Sequence, residues 1–546
     1  MSAALRYLEG ALAGREIPIP DGRTIVGSAT NCDLKLDGER VGRQHCVLLQ
    51  DEWTVRILDL GTDGGTFVNG KPTRGQIVLE NGDRLQVGDV AFQVLSNHSV
   101  PPTEAATPEE SSSSAVVPQF GIRKPARSPR PKQALRSRVR CPHCWYEFPP
   151  HEVLWVSAHP DLRGDPRVGE DAQLRFLPSR FNVAGQALDS NGVACHSLAC
   201  PECHLMVSRA LLEMKPLFFS ILGAPGSGKS YFLASMVWQL RRSLSSWFQL
   251  AFSDADPESN QLLNSYEETL FLSPNPQSLV ALPKTEKEGD LYEGVRVRNR
   301  TVWYPKPFVF TLRPNPDHPN ASRSQSAARA ICLYDNAGEH YLPGGDSAGN
   351  EATQHLSVSQ ALFFVFDPTQ HPEVRRRCAE KTSDPQMHDH GWTHRQDQVL
   401  LEAASRIRNQ TGLGQSEKYR RPLIVIVTKY DAWCGLTGGK ILKSNQVLKE
   451  TRSGLHAFDV ARFKKISDQT RDILKKLTPE MVSAAESISD DVLYVPVSSL
   501  GHAPEVAEQG GFLGIRPETI RPMWVQIPLI YALSRAAPHL VPVMNR

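Results

Sequence analysis

The sequence predicts a multidomain protein: an all-β sandwich, a small module held by four cysteines, and an α/β domain with a mostly parallel sheet. Three observations predict it. Residues 1–96 alternate apolar and polar residues in short runs divided by turn residues, the pattern of a sandwich. Two matched Cys-Pro-x-Cys pairs, Cys141/Cys144 and Cys200/Cys203, follow further along. Then Gly223-Ala224-Pro225-Gly226-Ser227-Gly228-Lys229-Ser230 stands between an apolar run, Pro216 to Leu222, and a helical segment, Tyr231 to Leu240. Strand, glycine-rich turn and helix are the context a phosphate-binding loop requires.

At 546 residues the chain is too long for one core. Its net charge of +2, with 22% charged residues, points to neither a nucleic-acid binder nor an acidic tail. No apolar run approaches the ~20 residues of a membrane span. The start, Met1 to Arg6, lacks a basic region followed by an apolar stretch, so a cytoplasmic protein is expected. In a reducing compartment, paired cysteines suggest metal rather than disulfides.

In the first segment, runs such as Thr24-Ile25-Val26, Cys46 to Leu49, Val55 to Leu58 and Val90 to Leu95 read as strands. Asp37-Gly38, Asn69-Gly70 and Asn81-Gly82 read as turns. Val26-Gly27, Asn31 to Leu34, Arg43-Gln44-His45, Leu60 to Gly70 and Gly82 to Gly88 give residues 1–96 their identity. The segment resembles the forkhead-associated (FHA) domain family. In that family an Arg after the first Gly, a Ser before Arg-x-His and an Asn before Gly-Thr hold a phosphothreonine. Here those positions are Ser28, Gly42 and Gly64. The guanidinium that would pair the phosphate is absent. The resemblance implies a partner-docking module in which Arg43 and Asn69 remain to touch a peptide and His45 supports the loops. Docking independent of phosphate is expected.

Residues 97–140 read as a disordered linker, rich in Pro, Ser, Thr and Glu and then basic. Arg123 to Arg140 carries eight Lys or Arg and no acid. Such a run could touch nucleic acid, anionic lipid or an acidic partner, but no aromatic residue is interleaved for stacking. A solvated tether is expected.

Residues 141–215 read as a zinc-ribbon-like module with an insertion. Two-residue spacings let Cys141 and Cys144, and Cys200 and Cys203, wrap opposite sides of a tetrahedral Zn²⁺ of structural type. Cys195, His196 and His204 lie nearby as substitute ligands or neighbours.

The rest, 216–546, reads as one α/β domain with a large insertion at about 245–305. Lys229 would reach the β- and γ-phosphates and Ser230 would ligate Mg²⁺, while backbone N–H groups from Gly223, Gly226, Ser227 and Gly228 wrap the phosphates. Ala330 to Tyr334 ends in Asp335-Asn336-Ala337-Gly338-Glu339. There Asp335 suits Mg²⁺ and the Gly338 N–H a γ-phosphate, a contact that exists only in the triphosphate state. The apolar run Pro422 to Val427 leads into Thr428-Lys429-Tyr430-Asp431, and Leu493 to Val497 into Ser498-Ser499.

This ordered set resembles the P-loop GTPase superfamily. The resemblance implies that Asp431 accepts two hydrogen bonds from guanine, that Lys429 lays its stem along the base, and that Ser498 and Ser499 line the guanine oxygen. Thr428 stands where Asn is commoner. Glu339 stands where Ras-like members have a water-orienting Gln, so Glu339 and Lys229 are the catalytic candidates and hydrolysis is expected to be slow. About 105 residues separate Ser230 from Asp335. Within them Thr285, Thr301 and Thr311 are candidates for the remaining Mg²⁺ ligand, Thr285 first. The whole layout resembles bacterial multidomain, double-GTPase-type proteins of signalling or conflict. A GTP-dependent switch is expected, the alternatives being a non-hydrolysing scaffold or an ATPase.

Overall fold

The structure, a computed structural model, describes residues 3–10, 12–20, 22–29, 32–50, 55–59, 62, 64–73, 76–95, 135–283, 291–298, 300–335, 350–382, 384–387, 395–437, 447–451, 454–507 and 512–544. The chain divides into two compact units. One comprises Met1–Lys132, Leu154–Arg163 and Gln173–Ser197; the other comprises Gln133–Val153, Gly164–Ala172 and Leu198–Arg546.

In the first unit, short alternating runs pair into two sheets. One sheet runs Glu16–Ile19, Ala3–Tyr7, Val90–Leu95, Arg84–Val87, Thr66–Val68 and Lys71–Pro72 in spatial order. The other runs Leu34–Lys35, Gly22–Gly27, Cys46–Gln50, Val55–Asp59 and Gln76–Leu79. Every second residue of Ala3–Tyr7 is buried, as one wetted and one packed face require. Leu5, Val26, Leu48, Ile57, Leu85 and Phe92 form the core between the sheets.

The second unit is built on a seven-stranded sheet. Its strands are β1 (Lys215–Gly223), β2 (Leu250–Asp254), β3 (Phe308–Pro314), β4 (Arg329–Asp335), β5 (Ala361–Phe366), β6 (Leu423–Val427) and β7 (Val492–Pro496), in the order β2-β3-β4-β1-β5-β6-β7. β4, β1, β5, β6 and β7 are mutually parallel, and β2 and β3 join antiparallel. β5 and β6 are buried along their whole length, which is why they read as continuous apolar runs rather than alternating ones. Alternation reappears in where the side chains go. Phe363, Val365, Ile424 and Ile426 enter one core, while Leu362, Phe364, Val425 and Val427 enter the other.

Helices α1 (Lys229–Phe248), α2 (Gln261–Phe271), α3 (Gln396–Thr411), α4 (Val460–Leu477), α5 (Pro479–Ile488) and α6 (Ile527–Ala536) accompany the sheet. α1, α2 and α6 contribute to the first core; α3 and α5 contribute to the second. The insertion expected at about 245–305 contributes edge strand β2, helix α2 and a hairpin, Tyr292–Val297 with Arg300–Pro305. β1 lies between β4 and β5, so successive parallel strands leave it in opposite directions. In parallel sheets that reversal opens a crevice at the strands' carboxyl ends. Ile221 pairs with Asp335 and Gly223 with Val365, so the glycine-rich turn and Asp335 share that edge.

The cysteine knuckles belong to the α/β unit rather than to a module of their own. Their hairpins are too small to bury a core alone, and Trp145 packs instead against Phe218 of β1 and Tyr334 of β4, ring centroids 5.3 and 5.7 Å away. The expected linker also ends sooner than its composition suggests. Val139–Arg140 pairs with Glu147–Phe148, and Val139 is fully buried. Among the described residues no helix is long and apolar enough to cross a membrane.

Candidate functional site

The glycine-rich turn connects β1 to α1. Gly223 must lack a side chain there, because a Cβ would come within 2.5 Å of the Val365 carbonyl oxygen. Gly226 and Gly228, at φ +72° and +88°, carry the chain around the turn. Ser230 lies in the first turn of α1. Lys229 is buried and folds back into the turn, donating to the Gly223 and Ala224 carbonyls at 3.1 and 3.2 Å. Two buried polar atoms here have no hydrogen-bond partner among the described residues: Ser227 Oγ and Asp335 Oδ1. Full burial pushes the Asp335 carboxyl up to about 6, with the Lys229 charge opposing the shift. A buried, under-satisfied carboxylate and hydroxyl beside a lysine suit a divalent cation and an anionic ligand.

The far end of the same edge holds Asp431. Ser498, just beyond β7, donates its hydroxyl hydrogen to Asp431 Oδ1 and accepts the Gly501 N–H at 2.8 Å. Burial pushes the Asp431 carboxyl up, and the Ser498 hydroxyl opposes that. Trp433 Nε1 donates to the Thr428 carbonyl at 2.8 Å, holding the loop closed. The Ser499 carbonyl accepts from Ser235 of α1 at 2.9 Å. Thr428 hydroxyl lies 3.1 Å from the Phe366 carbonyl and 3.3 Å from that of Ser227. It therefore ties the Asp431 loop to the glycine-rich turn, but with one hydrogen shared between two acceptors.

Of the two threonine candidates among the described residues, Thr311 does not stand at this edge. Thr311 pairs with Ala330 near the start of β4, whereas Asp335 ends that strand; five residues of strand are roughly 16 Å. Its hydroxyl contacts Ser253 at 2.9 Å. Thr301 sits in the hairpin opposite Arg296. Thr285, Gly338 and Glu339 lie outside the described residues.

Sequence reading missed the segment after β5. Asp367 is fully buried. Its Oδ1 accepts from the Thr369 N–H and hydroxyl at 2.9 and 2.6 Å, and its Oδ2 lies 2.7 Å from Lys429 Nζ. The Gln396 side chain clamps the Asp367 backbone N–H and C=O at 2.9 and 2.8 Å. Lys429 also donates to Gln386. Gln370 Nε2 lies 3.6 Å from the place a Cβ on Gly226 would take. A strand ending directly in Asp-Pro is the signal that could have drawn attention to it.

The four cysteines converge. Cys141 and Cys203 sulfurs are 3.7 Å apart, as are those of Cys144 and Cys200, and all four lie within 4.8 Å of one another. A tetrahedron with metal–sulfur bonds of about 2.3 Å has edges of about 3.8 Å. The two knuckles match in detail. The His143 N–H points to Cys141 sulfur and the Glu202 N–H to Cys200 sulfur, each at 3.4 Å. The following Trp145 and His204 are both left-handed, at φ 66° and 64°. Burial pushes the Cys141 and Cys203 thiols up, while hydrogen bonds from the other thiols push Cys200 down. Bringing four thiols together this way fits a cation that would deprotonate them. Among the described residues the converging group holds these four cysteines and not His204, whose Nδ1 is 2.8 Å from Asp165. Cys195 and His196 are engaged elsewhere, with Val193 and Gln186.

In the sandwich, buried His45 accepts the Gly42 N–H on Nδ1 at 3.0 Å. Its proton is therefore on Nε2, which faces the Gly65 carbonyl at 3.0 Å. His45 ties two loops together, as expected. Arg43 is exposed. Asn69 is occupied within the domain, donating to Asp83 at 2.7 Å and accepting the Arg84 N–H at 2.9 Å. A Cβ on Gly64 would fall 1.9 Å from the Arg40 carbonyl oxygen, and one on Gly42 would fall 2.5 Å from the Thr62 methyl. The loops have closed over the places where reading side chains would begin.

Residues 24–88 match the FHA domain family. The chain is 33% identical over 95 residues to the oxoglutarate dehydrogenase inhibitor of Corynebacterium efficiens, covering 17% of this chain and 66% of that protein. It is 32% identical over 95 residues to the glycogen accumulation regulator GarA of Mycolicibacterium smegmatis, covering 17% and 60%. It thus spans just under two thirds of the length of these relatives. A solved structure from work on phosphothreonine-dependent FHA domain interactions is 26% identical and covers 18% of this chain and all of that one, with a TM-score of 0.17. Residues 24–88 of the amino-terminal sandwich are an FHA domain, a partner-docking fold.

Proposed function

We propose that the protein is a Mg²⁺-dependent guanine-nucleotide switch whose FHA domain docks a protein partner and whose four cysteines hold a structural Zn²⁺. The observation that carries the nucleotide assignment is the shared sheet edge. Lys229, Ser227 and the under-satisfied Asp335 meet at one end of it, and Asp431, held by Ser498, stands at the other. Lys229 and Ser230 would take the phosphates and Mg²⁺, with Asp335 as a second Mg²⁺ group and Gly338 sensing the γ-phosphate. A bound Mg²⁺ would neutralise charge on the phosphates. Asp431 would accept two hydrogen bonds that guanine offers and adenine lacks, which disfavours the ATPase alternative. Glu339 in place of a Gln favours slow hydrolysis, or a scaffold that binds without turnover.

The test is equilibrium binding of fluorescent GDP, a slowly hydrolysed GTP analogue and an ATP analogue with Mg²⁺, followed by phosphate release. Guanine-selective binding is expected. Binding of ATP as tightly as GTP would refute the assignment of Asp431. Asp431→Asn is expected to lower GDP affinity by at least about a hundredfold and to raise that for xanthine nucleotides, because an amide donates where the carboxylate only accepted.

For the FHA domain, phosphothreonine peptides are expected to bind within about threefold of their unphosphorylated forms. Restoring Asn at position 64 should destabilise the domain rather than restore phosphate reading, since the Arg40 carbonyl fills that space. A phosphate-dependent gain in the unaltered protein would overturn the first statement, and an unchanged melting temperature of Gly64→Asn the second.

A further inference from the structure

We propose that Asp367 is a positioning residue for base selection: it anchors the Lys429 ammonium so that the lysine stem forms a fixed platform under the base. The inference rests on the nucleotide assignment of the same edge and goes beyond it, because it names a group that no motif supplies.

Lys429 leaves its loop from a left-handed backbone, at φ 53°. Among the described residues its ammonium meets Asp367 Oδ2 at 2.7 Å, the Gln386 side-chain oxygen, and the Thr369 hydroxyl at 3.4 Å. A free lysine stem samples many rotamers and its ammonium seeks water. Here both ends are held, which restricts the rotamers open to the four methylenes between them. Asp367 itself cannot shift. Gln396 clamps its backbone and the Thr369 N–H and hydroxyl hold its other oxygen. A buried carboxylate is costly without a cation, and Lys429 supplies that cation. The same segment brings Gln370 against Gly226. Asp367 therefore sets the height of the base platform relative to the glycine-rich turn.

Asp367→Asn separates this role from a capping role. An Asn oxygen still accepts from Thr369, but its amide nitrogen cannot accept from an ammonium. Calorimetric titrations of GDP and ADP into the full-length protein, Asp367→Asn, Lys429→Ala and the double variant test it, each with a thermal melt. Asp367→Asn is expected to cost about tenfold in GDP affinity, to narrow the GDP-to-ADP ratio, and to add nothing on top of Lys429→Ala. GDP affinity within twofold of the unaltered protein, with Lys429→Ala impaired, would overturn the inference alone. No GDP binding by the unaltered protein would overturn the nucleotide assignment and this inference with it. If Asp367→Asn does not fold, Gln386→Ala removes the second anchor without touching the buried carboxylate. A loss of about threefold is then expected, and an unchanged affinity would overturn the proposal.

Discussion

Lys229→Ala is expected to weaken guanine-nucleotide binding by at least about a hundredfold, since charged hydrogen bonds to phosphate contribute about 1.5–3 kcal/mol each. The lysine is already inside the glycine-rich turn, where it bonds the Gly223 and Ala224 carbonyls. On ligand entry it has only to exchange two neutral acceptors for phosphate oxygens, which gain more from a full positive charge. Its removal also strips those carbonyls of a donor, so a small fall in melting temperature should accompany the loss. Fluorescent GDP titration beside a thermal melt separates the two effects. A folded variant that binds GDP within threefold of the unaltered protein would remove the phosphate site from this turn.

Metal removal is the second large effect. Chelation, or Cys200→Ser, is expected to release one zinc per chain and lower the unfolding midpoint by about 5–10 °C. The four sulfurs are mostly buried and stand in pairs 3.7 Å apart, so losing a cation from among them would leave buried thiols without a partner of opposite charge. The consequence should reach beyond the knuckles. Tyr334 donates its hydroxyl hydrogen to the Pro142 carbonyl at 2.6 Å, and Trp145 packs on Tyr334 and Phe218. Tyr334 precedes Asp335, so a loosened knuckle should also reduce nucleotide affinity. Elemental analysis, melts with and without chelator, and GDP titration of the stripped protein check this. An unchanged melt after complete metal loss would show that the cysteines are held by packing alone.

Local patterns made the sandwich, the knuckles and the strand–turn–helix legible. Each is written in neighbouring residues: turn residues between alternating runs, cysteines two apart, glycines ahead of Lys229. The buried runs of β5 and β6 announced central strands because both faces are covered. The limits of the knuckle module were not legible, because Trp145 takes its partners, Phe218 and Tyr334, from residues far along the chain. Nor was the distance between Thr311 and Asp335. Composition offers a threonine, and only strand register puts it at the wrong end of β4.

The sequence by itself determined the FHA domain, the cysteine pairs, and the order in which Lys229, Asp335, Asp431 and Ser498 follow one another. These depend on short-range backbone geometry and on residue chemistry, both of which a few adjacent letters specify. The tertiary structure alone decided that Asp367 anchors Lys429 and that the Arg40 carbonyl fills the place of a reading side chain at Gly64. It alone decided that Tyr334 carries the knuckle on its hydroxyl. Those contacts join residues 62, 24 and 192 positions apart. They exist because packing against a common sheet, or between two loops, brings distant atoms within a few ångströms, a distance that no local pattern encodes.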